Sequence, residues 1–163
     1  MVKLIGAVMT GFAFAYIGFK MSMTLKTRMN SILEIVSSLE LLESEISFSV
    51  SKLKGAFLRV DRNGLFKYAA ENIDENGGGR AWEKAVNDNQ SRLCLTDADS
   101  QILMILAQSI GRTDTENQLK NIKYVKTLLE AQGRQAEEDY RRMGKLYRSG
   151  GVLTGLMAVI VLI

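Results

Sequence analysis

Between Ser31 and Val50 the apolar positions Ile32, Ile35, Leu39, Leu42 and Ile46 step by three and four residues. That spacing puts them on one stripe of an α-helix, with Glu34, Glu40, Glu43 and Glu45 mainly off it. Two heptads make a packed bundle helix a better reading than a coiled coil. A second helix is expected over Leu53–Ile73, with Leu53, Phe57, Val60 and Phe66 as its apolar positions. The Asp61-Arg62-Asn63-Gly64 run kinks or breaks it. Residues 74–79 (Asp-Glu-Asn-Gly-Gly-Gly) read as a flexible polar loop, and Arg80–Asn89 as a short helix with Trp82, Ala85 and Val86 on one side. Thr96 and Asp99 have the spacing of a capping box that opens the next helix. The unbroken apolar run 102–107 predicts that this helix is the most buried, with Gly111 ending it. Residues 113–116 then cap a long helix whose seam is Ile122, Val125, Leu129, Gln132, Ala136 and Met143, with Tyr140 alongside. No segment shows strand alternation. The expected fold is all-α: a helical bundle with N-terminal and C-terminal transmembrane helices.

The two ends differ from everything between them. Residues 4–19 and 149–163 carry no charge. Each is an apolar helix of roughly 23 Å, short of a hydrocarbon core of about 30 Å, and snorkelling of Lys20 and Arg148 closes part of the gap. A terminal helix without a polar face has nothing to show to water, which disfavours a core-helix reading. The expected organisation is an N-terminal anchor over 1–23, a cytoplasmic helical domain over 24–148, and a C-terminal membrane segment over 149–163. Ala7, Gly11 and Ala15 recur every fourth residue in the first segment, and Gly151 and Gly155 form a GxxxG in the last. Such stripes let helix backbones approach closely in lipid. Were the final helix continuous with the long helix before it, roughly 50 residues would extend about 75 Å, with Gly133, Gly144 and Gly150-Gly151 as the places for a bend.

Charge refines this picture. The net charge of +3 and basic pI invite a nucleic-acid reading, but all 18 acidic residues fall between Glu34 and Asp139, where residues 30–148 hold 17 Lys and Arg. The surplus is Lys3, Lys20, Lys26 and Arg28, beside the first apolar run. A short leader with Ala13-Phe14-Ala15 as cleavage site is the rival reading of the N-terminus. Against it, Lys20, Lys26 and Arg28 after the run outnumber Lys3 before it. At the other end Arg141, Arg142, Lys145 and Arg148 precede the run and no charge follows. Both flanks place the middle of the chain on the cytoplasmic side of a membrane and no nucleic acid among the partners.

Candidate chemistry is sparse. The chain has no histidine, no proline and one cysteine, Cys94, read as a buried, inert thiol. The glycine run at 77–79 lacks the Gly-Lys-Ser/Thr of a phosphate loop. Asp97 and Asp99 read as cap and dipole partners rather than as a metal pair. No catalytic, cofactor or metal residues are predicted. The candidate interaction residues are Lys120, Lys123 and Lys126, three cations at spacing three, together with Glu40 and Glu43.

Several segments carry a resemblance. They are Leu4-Ile5-Gly6-Ala7, the Ser38–Ile46 helix, the stretch from Ile110 to Gln118 with its Gly-Arg-Thr-Asp, and the tail from Lys145 to Gly155. In this order they resemble stage III sporulation protein AB of endospore-forming Firmicutes over essentially the full length. One departure is Ser51-Lys52-Leu53-Lys54, which lacks the proline of the family's turn after the first helix. The resemblance implies a non-enzymatic sporulation protein of the mother-cell membrane, in an assembly joining mother cell and forespore. It also implies a soluble domain similar to the helical domain of type II secretion and type IV pilus platform proteins. The implied partners are other stage III sporulation membrane proteins and a cytoplasmic secretion-type ATPase. A membrane-tethered adaptor or regulator unrelated to secretion is the other reading that the residues allow.

Overall fold

The structure, a computed structural model, describes residues 2–48, 53–110 and 115–162. These form five helices: α1 (Val2–Phe48), α2 (Leu53–Val60), α3 (Leu65–Asn89), α4 (Asp97–Ser109) and α5 (Thr115–Leu162). Among the described residues there is no strand. The chain divides into two compact units, one of residues 1–29 with 135–163 and one of residues 30–134. The unit of the two ends therefore also takes in residues 24–29 and 135–148, which the sequence places with the middle domain. The final apolar stretch belongs to the same helical element as the long helix before it.

Within residues 30–134, the stripe of α1 is buried as its spacing predicts. Ile32, Ile35, Leu39 and Leu42 are inaccessible, and Ile46 is half-buried. Ile122, Val125 and Leu129 of α5 are buried in the same unit, while Gln132 is half-buried. Each such aliphatic side chain contributes about 1.5–3 kcal/mol on leaving water.

The Asp61–Gly64 run does break the expected second helix. Asp61 Oδ1 accepts hydrogen bonds from Gly64 N at 3.0 Å and Phe66 N at 3.1 Å, and Asn63 Oδ1 accepts from Leu65 N at 3.2 Å. Gly64 has φ +87°, a conformation that suits glycine. The run thus stops α2 and supplies acceptors to the free N–H groups that open α3.

The expected loop over 74–79 is corrected. Those residues are helical on both sides of Gly77, the sole interior residue of α3 with non-helical angles (φ 73°, ψ 161°). The two limbs of α3 fold back on each other at this point. Tyr68 Oη donates to Asp88 Oδ2 at 2.7 Å, and Lys84 Nζ to Asn72 Oδ1 at 3.0 Å. A straight helix would separate the first pair by roughly 30 Å. The physical reason is packing against neighbours. A Cβ on Gly78 would stand 2.8 Å from Leu53 Cδ2, and one on Gly79 would collide with the carbonyl oxygen of Ala107. Gly78 and Gly79 therefore serve close approach, and Gly77 supplies the positive φ of the reversal, rather than slack.

The reversal sets Phe66 of the first limb against Trp82 of the second, with ring centroids 4.8 Å apart. Phe57 of α2 completes the cluster at 5.4 Å from Phe66 and 5.7 Å from Trp82. Trp82 Nε1 donates to Leu103 O at 2.8 Å, tying α3 to α4. α4 opens with the expected capping box: Asp99 N donates to Thr96 Oγ1 at 3.3 Å and Thr96 N to Asp99 Oδ2 at 2.9 Å. It is not buried all round, as its apolar run predicts. Leu103 and Leu106 are inaccessible, whereas Ile102, Met104, Ile105 and Ala107 are half-buried. One side of the helix faces α3 and the rest is only partly covered. Cys94, expected to be buried, is half-buried, with φ +54°. Gly111 as helix stop, Thr113 and Asp114 as caps, and the start of the proline-free turn at Ser51-Lys52 lie outside the described residues.

Two outcomes follow. Trp82→Ala should destabilise the detergent-solubilised full chain by about 3–5 kcal/mol, read by far-ultraviolet circular dichroism in denaturant. The second concerns pH. The hydrogen bond to Asp88 raises the Tyr68 pKa above its ordinary value, with desolvation and the negative charges of Asp88 and Glu71 adding to it. The folded chain then holds this proton more tightly than the unfolded chain. The stabilisation is complete below a pH of about 10 and is lost as pH rises through the raised value. Melting temperature should therefore fall more steeply above that pH in the native chain than in Tyr68→Phe.

Candidate functional site

The terminal parts of α1 and α5 form an antiparallel pair whose backbones nearly touch. A Cβ on Gly155 would lie 2.6 Å from Gly11 O, and one on Gly11 would lie 2.8 Å from Val159 Cγ2. A level further along, a Cβ on Gly151 would lie 2.9 Å from Phe14 O and 3.0 Å from Gly18 Cα. A Cβ on Gly18 would collide with Tyr147 O. Beyond that, Ser22 faces Gly144, and Arg28 Nη1 meets Asp139 Oδ2 at 3.6 Å. Residue numbers rise along α1 as they fall along α5, so these contacts fix both direction and register.

Only side chains of this size permit the approach. Ala7 is buried, Gly11 and Ala15 are half-buried, and Gly155 is buried while Gly151 is half-buried. The stripes read from the sequence thus meet each other. Gly18 stands at an equally close point, and Ser22 and Gly144 at a looser one with 3.3 Å between the Ser22 hydroxyl and a Gly144 Cβ; all three were missed. The signal for the first two is the continuation of the small-residue stripe past Ala15 by steps of three and four.

The outward faces are apolar. Phe12 is 74% exposed, Met9 68%, Met157 70% and Ile160 76%. By length and composition, the helix containing the N-terminal run is apolar enough to cross a membrane, with only 11% of its most apolar window buried. Small residues inside and large apolar residues outside are the reverse of a water-soluble helical pair, and the arrangement expected where lipid is the solvent.

Of the flanking cations, Arg28 is engaged with Asp139 and its side chain is 11% exposed. Arg142 pairs with Glu138 on its own helix at 3.6 Å. Arg148 Nε donates to Gly144 O at 3.2 Å. Lys20, Lys26, Arg141 and Lys145 are exposed and make no ion pair among the described residues. On the seam of α5, Ala136 is buried and Tyr140 half-buried, but Met143 is exposed. It lies one position before Gly144, which takes the inward place opposite Ser22.

The candidate interaction residues of the other unit turn out to be paired with each other. Lys126 Nζ lies 3.4 Å from Glu43 Oε2 and 3.7 Å from Glu40 Oε1, and Lys123 Nζ lies 3.5 Å from Glu43 Oε1. Lys120 pairs along its own helix with Glu116 at 2.8 Å. Lys126 and Glu43 are the most sheltered of these, with side chains 22% and 24% exposed, so this contact fixes how α1 and α5 pack in this unit. The more exposed pairs contribute about 0–1 kcal/mol each.

Comparison with known proteins agrees with this architecture. The chain is 28% identical over 170 aligned residues to Stage III sporulation protein AB of Bacillus subtilis (strain 168), covering 99% of each. A solved structure of Stage III sporulation protein AB superposes with a TM-score of 0.64 at 24% identity. It covers 70% of this chain and 96% of the other, a likeness of fold. The family model for stage III sporulation protein AB matches residues 3–163. With that match over nearly its whole length, the chain belongs to the stage III sporulation protein AB family.

Proposed function

We propose that the chain is a non-enzymatic membrane platform subunit of a sporulation-specific, secretion-like complex between mother cell and forespore. Family membership implies a role in sporulation, and the proposal adds how that role is carried out. Both apolar ends enter the mother-cell membrane as an antiparallel helical pair, and residues 30–134 lie on its cytoplasmic side. There they meet a secretion-type ATPase, and the membrane pair meets other stage III sporulation membrane proteins. The subunit passes force or position between them.

The observation that carries this reading is the pairing of Gly11 with Gly155 and of Gly18 with Gly151, with large apolar side chains turned outward. Such a pair leaves its apolar surface uncovered in water and satisfies its backbone internally in lipid. The basic flanks support the orientation through the excess of Lys and Arg on cytoplasmic sides.

Two experiments test it. In a Cys94→Ser background, Ser91→Cys in the exposed turn before α4 should stay unlabelled by a membrane-impermeant maleimide in intact mother cells and react after permeabilisation. The chain should sediment with membranes and stay there in alkaline carbonate. Recovery in the soluble fraction, or labelling in intact cells, overturns the reading. Gly18→Leu should force the helices apart and destabilise the full chain in detergent by about 1–3 kcal/mol, whereas Gly6→Leu, with no neighbour within 4 Å of its Cβ, should not.

A further inference from the structure

An open groove runs along one side of the terminal helix pair. One part is lined by Gly11, Ala15, Gly155 and Val159, with a volume of about 310 Å³. It continues, through the shared walls Phe12, Ala15 and Val152, into a wider part of about 460 Å³ bounded by Tyr16, Phe19 and Arg148. The lining is apolar throughout except at that last end. There Arg148 forms part of the wall, its Nε donating to Gly144 O at 3.2 Å. Its two Nη groups have no partner among the described residues.

We propose that this groove holds one anionic phospholipid, with the phosphate on Arg148 and an acyl chain lying along the groove toward Gly11 and Gly155. The inference rests on the reading that both ends lie in a membrane. Three features select this occupant. The groove has one cation and it is at one end, which matches a molecule with one charged end. Arg148 and Lys20 are the first charges met on leaving the two apolar runs, so the mouth lies at headgroup depth. From Arg148 to Val159 the groove extends roughly 16 Å, about half of a 30 Å hydrocarbon core and so the depth of one leaflet. A transmembrane helix of a second copy would run through both leaflets and place apolar side chains on the guanidinium. Arginine is suited to the task because its planar fork binds two phosphate oxygens at once.

The test is native mass spectrometry of the full chain released from nanodiscs of equimolar phosphatidylglycerol and phosphatidylcholine. One phosphatidylglycerol should be retained per chain, about tenfold over phosphatidylcholine. Arg148→Gln should abolish the preference, and Arg148→Lys should keep part of it. Ala15→Leu, which fills the groove, should lower retention of both lipids. Lys26→Gln, outside the groove, should change nothing. Equal retention of the two lipids by the native chain overturns the proposal without reference to any variant. So does an equal, graded loss in Arg148→Gln and Lys26→Gln, which would show a diffuse basic collar. A dimer mass with no lipid would show that a second copy occupies the groove. Membrane insertion measured by sedimentation can hold while lipid selectivity fails, so failure here leaves the platform reading standing.

Discussion

Backbone-to-backbone approach of two helices at glycine is the constraint on which the terminal unit depends. In lipid there is no hydrophobic drive between apolar helices, so association relies on van der Waals fit and on the area of close contact. Gly11, Gly18, Gly151 and Gly155 supply that fit by having no side chain at the crossing points. The register they impose sets Ser22 opposite Gly144 and Arg28 beside Asp139. It also brings Lys20 and Arg148, the first charges beyond each apolar run, close to one level along the pair.

The unit of residues 30–134 is held by different physics. Its helices bury aliphatic stripes and an aromatic cluster of Phe57, Phe66 and Trp82 in a core of their own. Here the polar contacts specify geometry more than they stabilise. Lys126 reaches both Glu40 and Glu43, which sets the pitch of α5 against α1 at a modest gain in free energy. Trp82 adds a directional bond to the carbonyl of Leu103 inside the core, where an unpaired indole N–H would be costly.

Much of this was legible in the sequence, for identifiable reasons. The stripe from Ile32 to Leu42 is a local pattern, and so are the Thr96 box and the Asp61–Gly64 stop. Each depends on spacing along one element. Most of the failures involve contacts distant along the chain. The glycines at 77–79 look like slack because composition cannot reveal that Leu53 lies against Gly78 and Ala107 against Gly79. The α4 run looks buried all round because apolar content does not say how many neighbours a helix has. The charged residues Lys123, Lys126, Glu40 and Glu43 look like surfaces awaiting partners until the pairing of α1 with α5 shows that they answer each other. Gly18 was missed because the step from Ala15 is three rather than four, although both steps keep to one helical face.

The single-residue reversal at Gly77 has a consequence for how the chain can vary in length. A loop of six residues would absorb an insertion without effect on its neighbours. Here, one extra residue next to Gly77 would rotate the second limb of α3 by about 100° relative to the first. Trp82 would leave Phe66, and the bare backbone at Gly79 would no longer face α4. Length changes among relatives are therefore expected in the turn between α3 and α4 or outside the helices, while this bend keeps a fixed count. Its fixed count of residues makes it a ruler for the domain rather than a tether.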